Sequence, residues 1–466
     1  MTRRGNDSGP VRVAIIGSGP AGFYTAEKLL KQEDVAVEVD MYDRLPVPFG
    51  LVRFGVAPDH EKIKRVTRIY EKVAGDPRFR FFGNVDIGRH LTLDDLRRHY
   101  HQICFSTGAQ TDRSLNIPGE DLERSHAATE FVAWYNGHPD YTGCEFDLSA
   151  EKVAVIGVGN VAVDVARILC RNPDELRTTD IADYALDALA ASGVKEVYML
   201  GRRGPAQAAF TNPEVRELGE LEGADIRAVK EEVDLDPLSR KRLEEDPDKE
   251  TSRKLEILES FVGREPTGKP KTLTLRFLVS PVEIYDDGKG GVGGMKLVHN
   301  ELYESEDGSL RPRPTDVFED LDVDMVFRSV GYRGVPVAGV PFHERWGIIP
   351  NVQGRVIDPE SDGPLTGLYV SGWIKRGPSG VIGTNKPDAA ETVERMLEDA
   401  RADAVLEPSS PDPESAERTV CGVRPDCVSW EDWKRIQAVE DEAGKKQGRP
   451  RVKLTSLEEM LAALKE

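Results

Sequence analysis

Short runs of β-branched and aliphatic residues alternate along the chain with longer stretches whose apolar positions recur every three or four residues. That pattern predicts α/β architecture, with parallel strands joined by helical crossovers. Two stretches share one layout. Val11–Ile16 (VRVAII) is apolar almost throughout and leads into the turn Gly17-Ser-Gly-Pro-Ala-Gly22 and an apolar helix over 23–30. Lys152–Ile156 (KVAVI) leads in the same way into Gly157-Val-Gly-Asn-Val-Ala162 and a helix over 163–169. The two glycine turns lie 140 residues apart, too far for a solenoid period, so the pair reads as two nucleotide-binding units. Runs at 102–108, 325–331 and 368–372 also end in glycine. Crossovers near 108 and 331 would insert a domain of residues 109–330 into one formed by residues 1–108 and 331–466, with a C-terminal extension from about 403. The charge-rich stretch 234–272 predicts an exposed helix or mobile excursion. The Pro/Ser-rich stretch 404–415 reads as a linker, after which Trp430, Trp433 and the amphipathic segment 454–464 pack back on the body.

The glycine turns carry chemistry. In the first, Gly17 makes the tight turn, Gly19 lets the backbone approach a pyrophosphate, and Gly22 lets the helix pack closely on the strand; the helix N-terminus faces the negative charge. Glycines also end strands for steric reasons alone, but here a strand precedes and a helix follows each turn. Ligand choice separates the two units. The strand over 35–42 ends at Asp43, whose carboxylate accepts a hydrogen bond from a ribose hydroxyl and repels a 2′-phosphate, which suits FAD or NAD. The matching strand Glu196–Leu200 ends in Gly201-Arg202-Arg203-Gly204. Two guanidiniums bind a phosphate through charge-assisted bonds, which suits NADP(H), as does Ala162 at the third glycine position. A solvated turn is the plain alternative for the arginine pair. FAD in the first unit and NADP(H) in the second is the economical assignment, with a flavin between a hydride donor and an electron acceptor.

Composition narrows the class. The 466 residues carry 62 Lys+Arg against 82 Asp+Glu, a formal charge of −20, which excludes a general nucleic-acid binder. No run of 18 apolar residues predicts a membrane span. The opening MTRRGNDSGP lacks the apolar segment of a signal peptide. Five cysteines, at 104, 144, 170, 421 and 427, form no C-x-x-C pair and no disulfide framework. A thioredoxin-type dithiol and a chain-bound iron–sulfur cluster are therefore not expected. The location expected is cytoplasmic, and the electron acceptor is external. Eight histidines form no metal-binding motif, so no metal is expected, and there is neither a P-loop nor a nucleophile elbow.

Longer segments are far more specific: residues 45–60 (LPVPFGLVRFGVAPDH), 81–85 (FFGNV), 157–167 (GVGNVAVDVAR), 201–211 (GRRGPAQAAFT), 328–334 (RSVGYRG) and 372–385 (GWIKRGPSGVIGTN). In these the chain resembles adrenodoxin reductase and the ferredoxin–NADP reductases of that type, over nearly its whole length. The resemblance implies two Rossmann-like domains and an FAD-dependent NADPH:ferredoxin oxidoreductase. It places FAD on Ala21, Asp43, Leu51 and Val85, with Trp373 and the Gly380-Val381-Ile382 stretch at the isoalloxazine end. It places NADP(H) on Arg113, on Gly159, Asn160 and Val161, on Arg202 and Arg203 at the 2′-phosphate, and on Glu214 near the nicotinamide, with Gly380 where nicotinamide and flavin meet. The family usually has Glu where this chain has Asp43. His60 and Glu214 are candidate catalytic residues in supporting roles, since hydride transfer to a flavin needs positioning rather than a side-chain acid or base. Residues 380–384 would open a helix over 387–397 whose N–H groups and dipole stabilise a reduced flavin, and the Trp373 ring would cover flavin or nicotinamide.

A ferredoxin partner is commonly acidic, so on this acidic chain it needs a local basic patch. Arg44, Arg53, Lys375 and Arg376 are the candidates, with Arg240, Lys241 and Arg242 further out. Two other readings share the paired units. One is an electron-donating flavoprotein subunit resembling the glutamate synthase small subunit, which calls for a cysteine-rich N-terminal region. The other is a non-enzymatic NADPH-binding redox sensor without flavin turnover.

Overall fold

A computed structural model describes residues 9–465. The chain first lays down β1 (Val11–Ile16), β2 (Val37–Tyr42), β3 (Phe79–Phe82) and β4 (Gln102–Phe105) as parallel neighbours in the order β4-β1-β2-β3, in a register that sets Val13 beside Gln102 and Val39. It leaves by β5 (Thr111–Asp112) and builds a second sheet from β6 (Ser125–Ala127), β7 (Lys152–Ile156), β8 (Glu196–Leu200), β9 (Ala224–Ala228) and β10 (Lys271–Arg276). An antiparallel sheet of β11 (Val279–Asp286), β12 (Val292–Glu304) and β13 (Leu310–Leu321) intervenes before β14 (Met325–Arg328) enters the second sheet between β6 and β7. The return strand β15 (Tyr332–Arg333) pairs antiparallel with β5, so the outgoing and returning crossings run side by side. Finally β16 (Asn351–Val352), β17 (Arg355–Ile357) and β18 (Pro364–Val370) extend the first sheet to seven strands, with β18 parallel to β4.

Both sheets are covered on two faces, which is why their central strands read as nearly unbroken apolar runs. All six residues of β1 are buried. The helices after the glycine turns begin at Pro20 and Asn160, three residues before the apolar pattern starts, because Gly19 and Gly159 act as the N-caps. Helix Pro20–Lys31 buries Phe23, Ala26 and Leu29 completely, each worth up to about 3 kcal/mol for the larger side chains. Helix Asn160–Cys170 is enclosed almost all round, including the guanidinium of Arg167.

The charged stretch 234–272 forms helices Pro237–Glu245 and Lys249–Glu259, N-capped by Asp236 and Asp248. The second anchors itself by burying Ile257 and Leu258, so the excursion is held. The stretch 404–415 is largely irregular but packed: Val405 is buried and the Ser410 N–H donates to the Arg98 carbonyl at 2.8 Å. In the helix Trp430–Gln447 the Trp433 ring is wholly buried, as the sequence implied.

The segment after that helix was less foreseeable. Arg449 donates to Asp183 at 2.6 Å, and the wholly buried Lys453 ammonium donates to the carbonyls of Arg53 (3.2 Å) and Asn136 (3.1 Å). It also lies 3.4 Å from Asp180, which Lys64 bonds at 2.5 Å. Residues 449–453 thus tie the segment after β2 to the segments flanking β7. The leader expectation concerns residues 1–10, of which 1–8 lie outside the described residues. Among the described residues no helix is long and apolar enough to cross a membrane.

Candidate functional site

The glycine turns repeat one geometry. Gly17 and Gly157 have φ of +108° and +138°, and a Cβ on either would stand 2.4 Å from the Ser106 carbonyl oxygen or 2.3 Å from that of Ser329. The neighbouring strand therefore requires glycine at both positions. A Cβ on Gly22 would stand 2.1 Å from the Gly17 carbonyl oxygen. Gly19 and Gly159 are different: φ is −79° and −106°, and a Cβ would meet nothing within 4 Å. The fold alone does not require glycine at those two positions. A ligand backed against the turn does, which is the use a pyrophosphate makes of it.

The first turn opens into a cavity of 330 Å³. Of the residues assigned to FAD, its wall contains Gly17, Gly19, Ala21, Asp43, Leu51, Trp373 and Ile382. Gly22 lies under the turn, and Val85 is buried below it, its N–H donating to the Asp43 carbonyl at 2.9 Å. Gly380 and Val381 are exposed, ahead of a 3₁₀ turn (Ile382–Thr384) and the helix Asn385–Arg401, so that helix starts two residues earlier than its expected span. Asp43 is already engaged: Oδ2 accepts from the Ser18 N–H at 3.0 Å and Oδ1 from the Leu45 N–H at 3.0 Å, and the Ser18 hydroxyl also donates to Oδ2. A carboxylate has about four acceptor directions, so capacity remains for a ribose. The Thr107 hydroxyl lines the same wall, buried and without a partner among the described residues. An unsatisfied buried hydroxyl costs about 1–3 kcal/mol, and a polar ligand group would satisfy it. The Trp373 ring lies 5.5 Å from that of Tyr332, and its Nε1–H donates to the Ser379 carbonyl.

At the end of β8, Arg202 is exposed and Arg203 half-buried, and neither forms an ion pair among the described residues. Burial and the charge of Arg202 lower the Arg203 pKa; an anion bound between them would reverse that cost. Asn160 uses its Oδ1 to accept from the Thr211 N–H at 2.9 Å, which fixes the turn against the segment carrying Glu214. Val161 is half-buried in the first turn of its helix. Arg113 stands apart, beside the β5–β15 crossing, with its guanidinium reaching the Tyr332 and Trp346 carbonyls at 3.4 and 3.5 Å.

His60 and Glu214 do come together, in a larger cluster. His60 Nε2 lies 3.0 Å from Glu217 and 3.7 Å from Glu214, and its Nδ1 lies 3.9 Å from Asp164. Arg167 donates to Asp59 (2.8 Å), Asp164 (2.7 Å) and Glu214 (3.2 Å). Burial and the nearby Arg167 charge oppose a charge on His60, but the Glu217 hydrogen bond and the carboxylates of Asp164 and Glu214 outweigh them and raise its pKa. Burial, and then the charge of Asp164, raise Glu214. Asp59 is held well below the carboxylate range: burial pushes the other way, but the Arg167 and Arg171 guanidiniums dominate. One ligand atom from each of His60, Glu214 and Glu217 lies within 4.8 Å of the others, close enough to share a cation; Arg167 already supplies positive charge at that point.

Sequence reasoning missed Asp59, Asp164, Arg167 and Glu217, which meet from three separate stretches and carry no spacing signal. It also missed His138 on the cavity wall, whose pKa burial and Arg44 push down to about 4. Cys421 and Cys427, six positions apart, come within 3.8 Å at their sulfurs.

The expected docking patch is corrected in two places. Arg53 is buried and bonds Glu440 at 2.9 and 2.5 Å, and Lys375 is buried against Asp388 and Glu391. A carboxylate inside the fold draws each cation inward. Arg44 pairs with Asp140 at 2.6 Å, and Arg376 lies 3.5 Å from Asp388. Of the outer candidates, Arg240 and Lys241 are exposed, while Arg242 reaches Glu304 at 3.5 Å.

The family described as pyridine nucleotide-disulphide oxidoreductase matches residues 11–203. A curated relative, the NADPH-ferredoxin reductase FprA of Mycobacterium tuberculosis, is 46% identical over 97% of this chain and 98% of its own length. The mitochondrial NADPH:adrenodoxin oxidoreductase of Arabidopsis thaliana is 41% identical over 98% of this chain and 96% of its own. The solved structure of M. tuberculosis FprA in complex with NADPH superposes with a TM-score of 0.91 at 45% identity, covering 98% of this chain and all of that one. The two glycine turns, the Asp43 and Arg202–Arg203 contrast and this full-length likeness agree: the chain belongs to the adrenodoxin-reductase-type family of NADPH–ferredoxin reductases.

Proposed function

We propose that the chain is an FAD-dependent NADPH:ferredoxin oxidoreductase, with FAD on residues 1–108 and 331–466 and NADP(H) on residues 109–330. The observation that carries this reading is the pair of glycines, Gly19 and Gly159, whose missing side chains the fold does not need. The bound cofactors supply hydride exchange where nicotinamide and flavin meet, and delivery of single electrons to an iron–sulfur protein.

The chain's own residues bind and orient. The N–H groups opening helices Pro20–Lys31 and Asn160–Cys170 face the two pyrophosphates. Asp43 takes the adenosine ribose of one cofactor, and Arg202 with Arg203 takes the 2′-phosphate of the other. Trp373 and Tyr332, whose rings lie 5.5 Å apart on the cavity wall, would cover the reacting rings and exclude water. Arg167 holds Asp59, Asp164 and Glu214 in fixed positions, and Glu217 keeps a proton on His60 Nε2, so the nicotinamide end presents an ordered polar wall. Gly380 would lie where the two rings meet.

The full-length relatives favour this reading over a glutamate-synthase-type subunit, and the built FAD cavity favours it over a flavin-free NADPH sensor. The partner is a ferredoxin, docked on a local basic patch. A cytoplasmic location belongs to the same proposal; it rests on the free state of the five cysteines.

The test is the visible spectrum of the purified protein, followed by NADPH-driven reduction of an acidic ferredoxin coupled to cytochrome c. A flavin spectrum with a ferredoxin-dependent rate supports the reading. A colourless protein, or a rate indifferent to added ferredoxin, overturns it.

A further inference from the structure

Helices Glu61–Lys64 and Thr67–Ala74 are joined by turns in which the Val66 N–H donates to Ile63, Arg68 to Arg65 and Ile69 to Val66. The segment 61–74 is therefore nearly one helix. Its two sides differ sharply. Inward, His60 and Lys64 reach Glu217 and Asp180, and Tyr70, Val73 and Ala74 enter the core. Outward, Lys62, Arg65, Arg68, Ile69 and Lys72 recur at helical spacing, with Ile63 beside them, and all are exposed.

Ile63 and Ile69 are 40% and 43% exposed, and they are the exposed isoleucines among the described residues. None of the four cations forms an ion pair among the described residues, whereas arginines elsewhere on this acidic chain are mostly held by carboxylates. Glu61 and Glu71 are the acidic residues interspersed. Uncommitted cations around exposed aliphatic side chains, on a molecule of charge −20, are what an acidic protein partner needs for attraction and for a small apolar contact. The position fits as well. The segment starts at His60, within the cluster around Glu214, and comes after the residues Leu51 and Phe54 that wall the cavity.

We infer that this stripe is the docking surface for an acidic iron–sulfur protein, with Arg65 and Arg68 steering and Ile63 and Ile69 making the central contact. The inference rests on the ferredoxin-reductase reading and adds the place where the acceptor binds, in place of the buried Arg53 and Lys375.

The test uses the holoenzyme, an acidic [2Fe–2S] ferredoxin, and ferricyanide as an acceptor that needs no docking. In the variant R65E/R68E the KM for ferredoxin rises at least tenfold at low ionic strength and the gap narrows as salt is added, while NADPH–ferricyanide activity stays at the wild-type level. In I63S/I69S the KM rises about threefold with the salt dependence unchanged. A control of equal charge change on the antiparallel sheet, R311E/R313E, leaves the KM at wild type. An R65E/R68E KM within twofold of wild type, or an equal rise in the control, overturns the docking surface alone. A wild-type enzyme that reduces ferricyanide but no ferredoxin overturns the reading beneath it, and the surface with it.

Discussion

Replacing Gly159 by valine separates what the fold demands from what the ligand demands. With φ of −106° and ψ of 176° the position is extended, and a Cβ meets nothing within 4 Å. A β-carbon therefore fits without strain, and the about 0.4–1 kcal/mol contributed by reduced unfolded-state freedom roughly offsets the loss of glycine at the helix N-cap. Binding responds far more strongly. A side chain at that point keeps a pyrophosphate from the backbone N–H groups, each of which contributes about 1.5–3 kcal/mol to a charged acceptor. Losing two costs about 3–6 kcal/mol, or about two to four orders of magnitude in the Kd for NADP+. Difference spectroscopy during an NADP+ titration reads the Kd; thermal melting and flavin content read the fold. The expected variant melts close to wild type, keeps its flavin and binds NADP+ at least a hundredfold more weakly. The partner variant Gly157→Val, whose Cβ would stand 2.3 Å from the Ser329 carbonyl oxygen at φ +138°, loses stability instead. A Gly159→Val protein that binds NADP+ within threefold of wild type would refute the argument from open space.

Three further outcomes are expected. The double variant R202A/R203A loses charge-assisted bonds worth together about 2–4 kcal/mol, so kcat/KM for NADPH falls roughly thirty- to a thousandfold while that for NADH holds; an unchanged NADPH/NADH ratio would remove both arginines from the 2′-phosphate. His60, with its pKa raised in the folded state, adds stability that is fully present below the unfolded value of about 6.5 and lost as pH rises through the folded value. The melting gap between wild type and His60→Asn should accordingly be wider at pH 6 than at pH 9, and a gap indifferent to pH would contradict the ion-pair account. Glu440→Ala strands the buried Arg53 guanidinium at a cost of about 3–5 kcal/mol, which for a chain of this length lowers Tm by about 3–5 °C; calorimetry showing a drop under 1 °C would mean that water reaches Arg53.

What the sequence revealed and what it hid divide along a physical line. The glycine turns and the places of Asp43 and the Arg202–Arg203 pair at strand ends were legible because each is local: a strand, a turn and a helix start fix where the next few residues stand. Trp433 was legible as an aromatic in a tail expected to pack back on the body. The cluster at Arg167 was not, because Asp59, His60, Asp164, Glu214 and Glu217 meet only after two sheets have packed. Arg53 and Lys375 misled for the same reason. Cations beside a cofactor motif resemble a docking patch until Glu440 arrives from a distant helix, and Asp388 and Glu391 from the helix following Lys375, and turn them inward. The unpaired cations of segment 61–74 could likewise be recognised only after the fold had shown which cations have partners.

The central claim is a single electron path through two cofactor sites on one chain. Stopped-flow mixing of the purified protein with NADPH, monitored at the flavin band, and then with oxidised ferredoxin tests it most directly. The account predicts bleaching at a rate that saturates with NADPH and then ferredoxin reduction as the flavin band returns. A flavin band that NADPH leaves untouched, or a bleached protein that leaves ferredoxin oxidised, would contradict it.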